Sequence, residues 1–140
     1  MRIVIIDGQG GRMGRQLAER IGAAYPQAEL TCVGTNALAT AAMLKAGIKH
    51  AATGENAVIV ACRRADVIIG PIGVVIADSL YGEITPAMAR AVGQAEAVRI
   101  LLPMSKCENL VAGVPAGLTL QEILNDAMAK LQQVAEGCAL

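Results

Sequence analysis

The sequence is poor in the residue types that most often mark catalysis, metal binding or base stacking. Of its 140 residues only Tyr25 and Tyr81 are aromatic, and His50 is the single histidine. So few rings exclude the stacking platforms of single-strand nucleic-acid binders. Twelve basic and twelve acidic residues give a net charge of zero, without the positive field that a phosphate-tracking nucleic-acid binder needs. We therefore expect no nucleic-acid partner.

Disulfides, zinc and membrane spans are also not indicated. The cysteines are widely spaced and include no C-x-x-C pair; they are Cys32, Cys62, Cys107 and Cys138. That spacing argues against a zinc site and suits a reducing compartment. The longest apolar run, at residues 67–77, is interrupted by Pro71 and is shorter than the roughly 20 residues of a membrane span. The apolar stretch at residues 3–6 is too short for a signal peptide. We expect a cytoplasmic protein with no membrane partner.

What the sequence has in quantity is apolar runs that alternate with helical patterns. Hydrophobic residues make up 54% of the chain, enough to form a core and to exclude disorder. The predicted strands cover residues 2–7, 29–33, 48–52, 66–70, 97–102 and 110–114. The predicted helices cover residues 13–24, 37–46, 53–65, 74–80, 86–93 and 120–134. This alternation predicts a single Rossmann-like α/β domain over residues 1–140, a doubly wound, mostly parallel sheet with helices on both faces.

The strongest local signal is a glycine-rich loop directly after the first predicted strand. Its sequence, residues 8–14, comprises Gly8, Gln9, Gly10, Gly11, Arg12, Met13 and Gly14. Glycines allow a tight strand-to-helix turn and a close approach of a diphosphate to the backbone, and the helix N-terminus then offers N–H groups to the anion. The last glycine would let the helix pack closely on the sheet. The alternative is a tight turn that only packs well.

Residues 8–17 resemble the nucleotide loop of dihydrodipicolinate reductase, an NAD(P)H enzyme of lysine biosynthesis. The resemblance implies that cofactor fold for the first strand, loop and helix. It does not imply the reductase activity, because the family's second domain carries a His/Lys-rich signature that these residues lack. Over its whole length the chain is similar to an uncharacterised bacterial family, a domain of unknown function, in residues 6–11, 34–40, 52–57 and 69–73. That resemblance implies a fold and a ligand site, but no known reaction.

Two features depart from the usual dinucleotide pattern. The ribose-binding acid expected at the end of the second strand is replaced by Thr35 and Asn36, which we expect to approach the ribose. Asp7 precedes the first glycine and would repel a diphosphate unless it turns away, caps backbone N–H groups or binds a cation.

Further candidate positions follow the later strands. We predict that Gly70, Pro71, Ile72 and Gly73 approach the far half of the ligand, because the fourth strand should neighbour the first. A tight turn between core segments is the alternative. Lys106 is a possible anion partner for the ligand. Cys107 lies beside this cation, a setting that can lower a thiol pKa, although an ordinary loop cysteine is the simpler interpretation.

The sequence favours binding of a nucleotide, NAD or NADP, by a small oxidoreductase or a cofactor-sensing module. The alternative is a non-catalytic regulatory or interaction subunit, which the scarcity of acid–base residues favours. The sequence lacks the G-K-[ST] of a P-loop, and no metal site is expected. The last helix carries an apolar stripe, from which we predict a homodimer. The stripe consists of Leu120, Ile123, Leu124, Ala127, Met128, Leu131 and Val134. The alternative is that the stripe covers the chain's own sheet.

Overall fold

The computed structural model describes residues 1–104 and 109–137. Its strands are β1 (Arg2–Asp7), β2 (Glu29–Gly34), β3 (His50–Thr53), β4 (Val67–Pro71) and β5 (Val98–Leu102). They form one parallel sheet in the order β3-β2-β1-β4-β5. The helices are α1 (Arg12–Ala24), α2 (Ala37–Leu44), α3 (Glu55–Cys62), α4 (Pro86–Gln94) and α5 (Leu120–Ala135). The predicted α/β class is confirmed. β1 lies at the centre of the sheet, and β4 neighbours it as expected.

Helices cover both faces of the sheet, which explains why the first strand is apolar without alternation. In β1, Ile3 and Ile5 belong to the core cluster formed with α1, α2 and α5. Val4 and Ile6 belong to the second cluster, formed with α3 and α4. All four side chains are buried. Within the described ranges no helix has both the length and the apolarity to cross a membrane.

Two predicted elements are wrong. Residues 110–114 form no strand: Leu110 is fully exposed, and the chain turns at Gly113, where φ is +83°. An apolar run becomes a strand only where it pairs with a neighbouring strand, and this run pairs with neither edge strand of the sheet, β3 or β5. Residues 74–80 form no helix either. A short 3-10 helix, Ile72–Val75, is followed by turns in which Asp78, Leu80 and Tyr81 adopt positive φ, and a right-handed helix cannot continue through such residues.

The third strand and helix lie near their predicted positions, but with a different boundary. We predicted Thr53 as the helix N-cap, whereas it ends β3 and Gly54 is the N-cap of α3. The Thr53 hydroxyl instead pairs with that of Thr40 at 2.7 Å. The hydroxyl is thus used to join α2 to the end of β3.

The apolar stripe of α5 is largely buried within the chain itself. Leu124, Ala127 and Leu131 are buried in the cluster with α1 and β5, and the other stripe residues pack around them. The alternative interpretation therefore holds, and the stripe supplies no argument for a dimer.

We expect the two glycines of α1 to respond oppositely to alanine. A Cβ at Gly14 would lie 2.6 Å from Met43 Sδ and 2.7 Å from Asp7 Cβ, whereas a Cβ at Gly22 would meet no atom within 4 Å. Gly14→Ala should lower the free energy of unfolding by about 1–3 kcal/mol. Gly22→Ala should raise it by about 1 kcal/mol through helix propensity. Urea denaturation measures both, and changes of the same sign would contradict the packing at Gly14.

Leu131 tests the assignment of the stripe to the core. Leu131→Ala should lower the free energy of unfolding by about 2–5 kcal/mol, because it opens a cavity at a fully buried position. Leu38→Ala removes the same atoms at an exposed position of α2 and should change it by less than about 0.5 kcal/mol. If Leu131→Ala instead preserved stability and reduced the mass in light scattering, the stripe would be an interface.

Candidate functional site

The carboxylate of Asp7 joins the end of β1 to the first turn of α1. Its Oδ1 accepts the Gly8 N–H at 2.8 Å, and its Oδ2 accepts the Gly14 N–H at 2.6 Å. The residue is only 6% exposed. Of the three roles left open for this acid, the structure shows the capping of backbone N–H groups. The acid therefore holds the loop and the helix together.

Burial raises the pKa of Asp7 to about 6, against the opposing effect of the hydrogen bonds from Gly14 and Gly8. The negative charge of Glu83 raises it slightly further. In the folded chain Asp7 therefore binds a proton more tightly than a free aspartate does.

The glycine-rich loop forms the tight strand-to-helix turn that the sequence predicts. Gln9 and Gly11 have positive φ, and the Gly11 N–H donates to the Gly8 carbonyl at 3.0 Å. Gly11 is the N-cap of α1, and it has no side chain to cap the helix. In the described part of the chain, the N–H groups of Gly10, Arg12 and Met13 have no hydrogen-bond partner. Such N–H groups at a helix N-terminus are suited to hold an anion.

The glycines of the loop divide into packing positions and one open position. A Cβ at Gly11 would lie 2.7 Å from the backbone of Ala39, and one at Gly8 would meet Thr35, Glu83 and Leu80. Only at Gly10, which is exposed, would a Cβ point into open space. The exposed Arg12 follows in α1 and makes no ion pair within the described ranges. Gly10 and Arg12 are therefore free to meet a ligand.

The carboxylate of Glu83 brings together three residues of the predicted site. Its Oε2 accepts hydrogen bonds from the Gln9 N–H at 2.9 Å, from Asn36 Nδ2 at 2.9 Å and from the Thr35 hydroxyl. Its Oε1 accepts from Gln9 Nε2. The ends of β1 and β2 are thus joined by an acid that comes from the segment after β4.

Sequence reasoning missed Glu83 as a site residue. The available signal was its position after the fourth strand, which neighbours the first. Burial alone would raise the pKa of Glu83, but the hydrogen bonds from Thr35, Gln9 and Asn36 together hold that pKa below its ordinary value. Glu83 is therefore ionised at neutral pH.

The end of β4 lies beside the end of β1, but its groups serve mostly local structure. A Cβ at Gly70 would collide with the carbonyl oxygen of Ile6, so this glycine allows the strands to approach. The Gly73 carbonyl accepts hydrogen bonds from the Ser79 hydroxyl and the Ile76 N–H. Pro71 is buried and Ile72 half-buried.

The other candidate residues add no chemistry to this edge. His50 is exposed at the start of β3, and parallel strands start at the opposite edge of the sheet. Cys32 and Cys62 are buried free thiols. Lys106 and Cys107 lie outside the described residues. In the described part of the chain, no three His, Cys, Asp or Glu residues form a metal-binding group.

Two surface cavities lie away from the loop. One, of about 270 Å³, lies between α3 and the first residues of β1 and β2. The other, of about 420 Å³, lies between β5, residues 113–118 and α5. Neither is lined by a residue of the glycine-rich loop.

We predict that Asp7 makes stability fall as the pH rises. Its pKa is raised by folding, so the stability it contributes is present below its unfolded pKa of about 3.8 and is lost as the pH rises through about 6. Across this window the loss is on the order of 3 kcal/mol. Asp7→Asn should remove that slope, even though its amide cannot accept both N–H groups. Urea denaturation at several pH values measures how the free energy of unfolding depends on pH. An equal pH dependence in wild type and Asp7→Asn would contradict the prediction.

Comparisons with known proteins identify a family. Comparison with curated proteins returned no match. Among solved structures, the crystal structure of a dodecameric FMN-dependent Ubix-like decarboxylase from Escherichia coli O157:H7 is similar over 96% of this chain and 76% of that chain. The two share 18% sequence identity, with a TM-score of 0.47. The family model described as "Domain of unknown function (DUF3842)" matches residues 2–136, and the chain therefore belongs to this family.

Proposed function

We propose that this chain binds a nucleotide, preferably NAD or NADP, at the carboxyl edge of the sheet. The observation that carries the proposal is the unpartnered N-terminus of α1 at the point where β1 lies between β2 and β4. In open α/β sheets ligands bind outside the carboxyl ends of the strands, where the strand order reverses. An anionic diphosphate is the part of a nucleotide that such a helix N-terminus attracts.

Within this proposal each group of residues has a distinct role. The phosphates bind to the N–H groups of Gln9, Gly10, Arg12 and Met13 and to the Arg12 guanidinium. Gly8, Gly11 and Gly14 shape the loop. Thr35 and Asn36 approach the ribose, and residues 70–73 lie along the far half of the ligand. The order of the strands supports this arrangement, because it brings the ends of β2, β1 and β4 together.

A binding or cofactor-sensing module is favoured over a small oxidoreductase. Both oxygens of Asp7 are occupied by backbone N–H groups, which leaves no free base there. The chain's only histidine lies at the other edge of the sheet. Glu83 also lies at this edge, but its oxygens already accept hydrogen bonds from Gln9, Thr35 and Asn36. An oxidoreductase would therefore need further acid–base groups, from the substrate, a partner subunit or other residues.

The homodimer and the cytoplasmic location stay predictions. The α5 stripe no longer supports the dimer. Within the described residues after β5, the large apolar side chains that remain exposed are Leu110, Val111, Val114 and Leu118. We propose that a dimer, if formed, buries this group, which light scattering of Leu110→Glu against wild type tests directly.

Gly10→Asp tests the proposed nucleotide site. NAD⁺, NADH, NADP⁺, NADPH, ATP and FMN are compared by thermal shift, and the tightest is then titrated. A ligand at 100 times its Kd stabilises the protein by roughly 2.7 kcal/mol. Gly10→Asp should weaken binding at least about tenfold, because a like charge within about 6 Å costs more than 1.4 kcal/mol at a protein surface.

Gly93→Asp is the matched control, because it adds the same side chain at an exposed position of α4 with open space around it. It should bind as the wild type does. Equal affinity of folded Gly10→Asp and wild-type protein would refute the site, and no shift with any compound would refute nucleotide binding.

A further inference from the structure

We infer that residues 77–84, here called the covering segment, form a lid that closes the nucleotide site with the chain's own carboxylate. Glu83 takes the position of an anionic group of the ligand, and the segment must move for a nucleotide to enter. This inference rests on the proposed function, since it concerns regulation of the same site.

The first observation is the set of donors around Glu83. Its two oxygens accept four hydrogen bonds. Gln9 donates two of them, from its main-chain N–H and its side-chain amide, and the Thr35 hydroxyl and the Asn36 amide donate the others. Carboxylates and phosphates are anions that accept hydrogen bonds from the same kinds of donor. The donors that hold Glu83 lie on three residues of the proposed nucleotide site, so its carboxylate competes with a phosphate for the Gln9 N–H and with the ribose for Thr35 and Asn36.

The second observation is how closely the covering segment lies on the loop. A Cβ added at Gly8 would lie 2.8 Å from Glu83 Oε2 and 2.9 Å from Leu80 Cδ1. The Leu80 carbonyl accepts from Gln9 Nε2 at 3.2 Å. A diphosphate cannot lie against Gly8 and Gln9 while these atoms are there.

The third observation is the backbone of the covering segment. Asp78, Leu80 and Tyr81 have φ values of +64°, +54° and +56°, which non-glycine residues rarely adopt. Strain of this kind is found at switch segments, and it favours release. The segment is anchored on both sides, by the Ser79 hydroxyl on the Gly73 carbonyl and by the buried Ile84. Between the anchors Leu80 packs against the second core cluster, whereas Tyr81 is 91% exposed, so residues 81–83 can move with little loss of packing.

The test is whether removing Glu83 strengthens binding. Inorganic pyrophosphate and NAD⁺ are titrated calorimetrically into wild type, Glu83→Ala and Glu83→Gln. If the closed form holds about nine-tenths of the wild-type molecules, Glu83→Ala should bind about tenfold more tightly. Glu83→Gln, which keeps the size and loses the charge, should change in the same direction.

Asp78→Asn is the matched control for charge. It removes one negative charge from the same segment, at an exposed residue whose positive φ asparagine accepts, without touching a donor of the loop. Its affinity should change far less than that of Glu83→Ala. An equal gain in Asp78→Asn would reduce the effect to general electrostatics and overturn the lid.

The remaining outcomes separate the two proposals. If wild type binds NAD⁺ and Glu83→Ala binds it equally well or more weakly, the nucleotide site stands and the lid is refuted. Weaker binding would in addition identify Glu83 as a residue that contacts the ligand. If pyrophosphate and NAD⁺ bind neither wild type nor Glu83→Ala, both proposals fail. Circular dichroism in the absence of ligand checks that Glu83→Ala is folded. If it is unfolded, the affinity of Glu83→Gln decides whether the lid exists.

Discussion

The hydrogen bonds of Asp7 to Gly8 and Gly14 are the constraint on which the candidate site depends. They hold the first turn of α1 directly over the end of the central strand. The approach is possible only because position 14 has no side chain, since a Cβ there would meet Asp7 itself. With α1 held in this way, its N-terminus is presented at the carboxyl edge of the sheet, where β2 and β4 end on either side.

Two acids of the chain, Asp7 and Glu83, accept hydrogen bonds from the loop and the positive end of α1. The two carboxylates lie in different environments. Asp7 is enclosed, and burial raises its pKa despite two N–H donors. Glu83 is half-buried, and side-chain and main-chain donors together lower its pKa. The Asp7 carboxylate is therefore part of the interior. The Glu83 carboxylate is held by hydrogen bonds from Gln9, Thr35 and Asn36.

The glycine content of this edge reflects packing as much as ligand access. Gly11 and Gly14 allow α1 to approach α2 and β1, and Gly34 and Gly70 allow similarly close contacts with Thr40 and Ile6. Among the glycines of the loop, Gly10 alone has free space around it. A glycine-rich pattern therefore marks where backbones approach one another closely, whether or not a ligand is also present.

The sequence by itself determined the architecture. Runs such as Ile3–Ile6, apolar on both faces of a strand, require helices on both sides of a parallel sheet, and local caps at Asn36 and Thr85 mark where helices begin. It also determined that Gly8–Gly14 would turn from strand to helix, because this turn depends on residues adjacent in the chain.

Only the tertiary structure decided how separate segments meet. The apolar run at residues 110–114 remained without a strand partner, and the α5 stripe was buried internally, because both outcomes depend on which neighbours the sheet offers. The contact of Glu83 with Gln9, Thr35 and Asn36 joins residues up to 74 positions apart. No local pattern encodes such a contact, because it arises only when the ends of β1, β2 and β4 are brought to one edge.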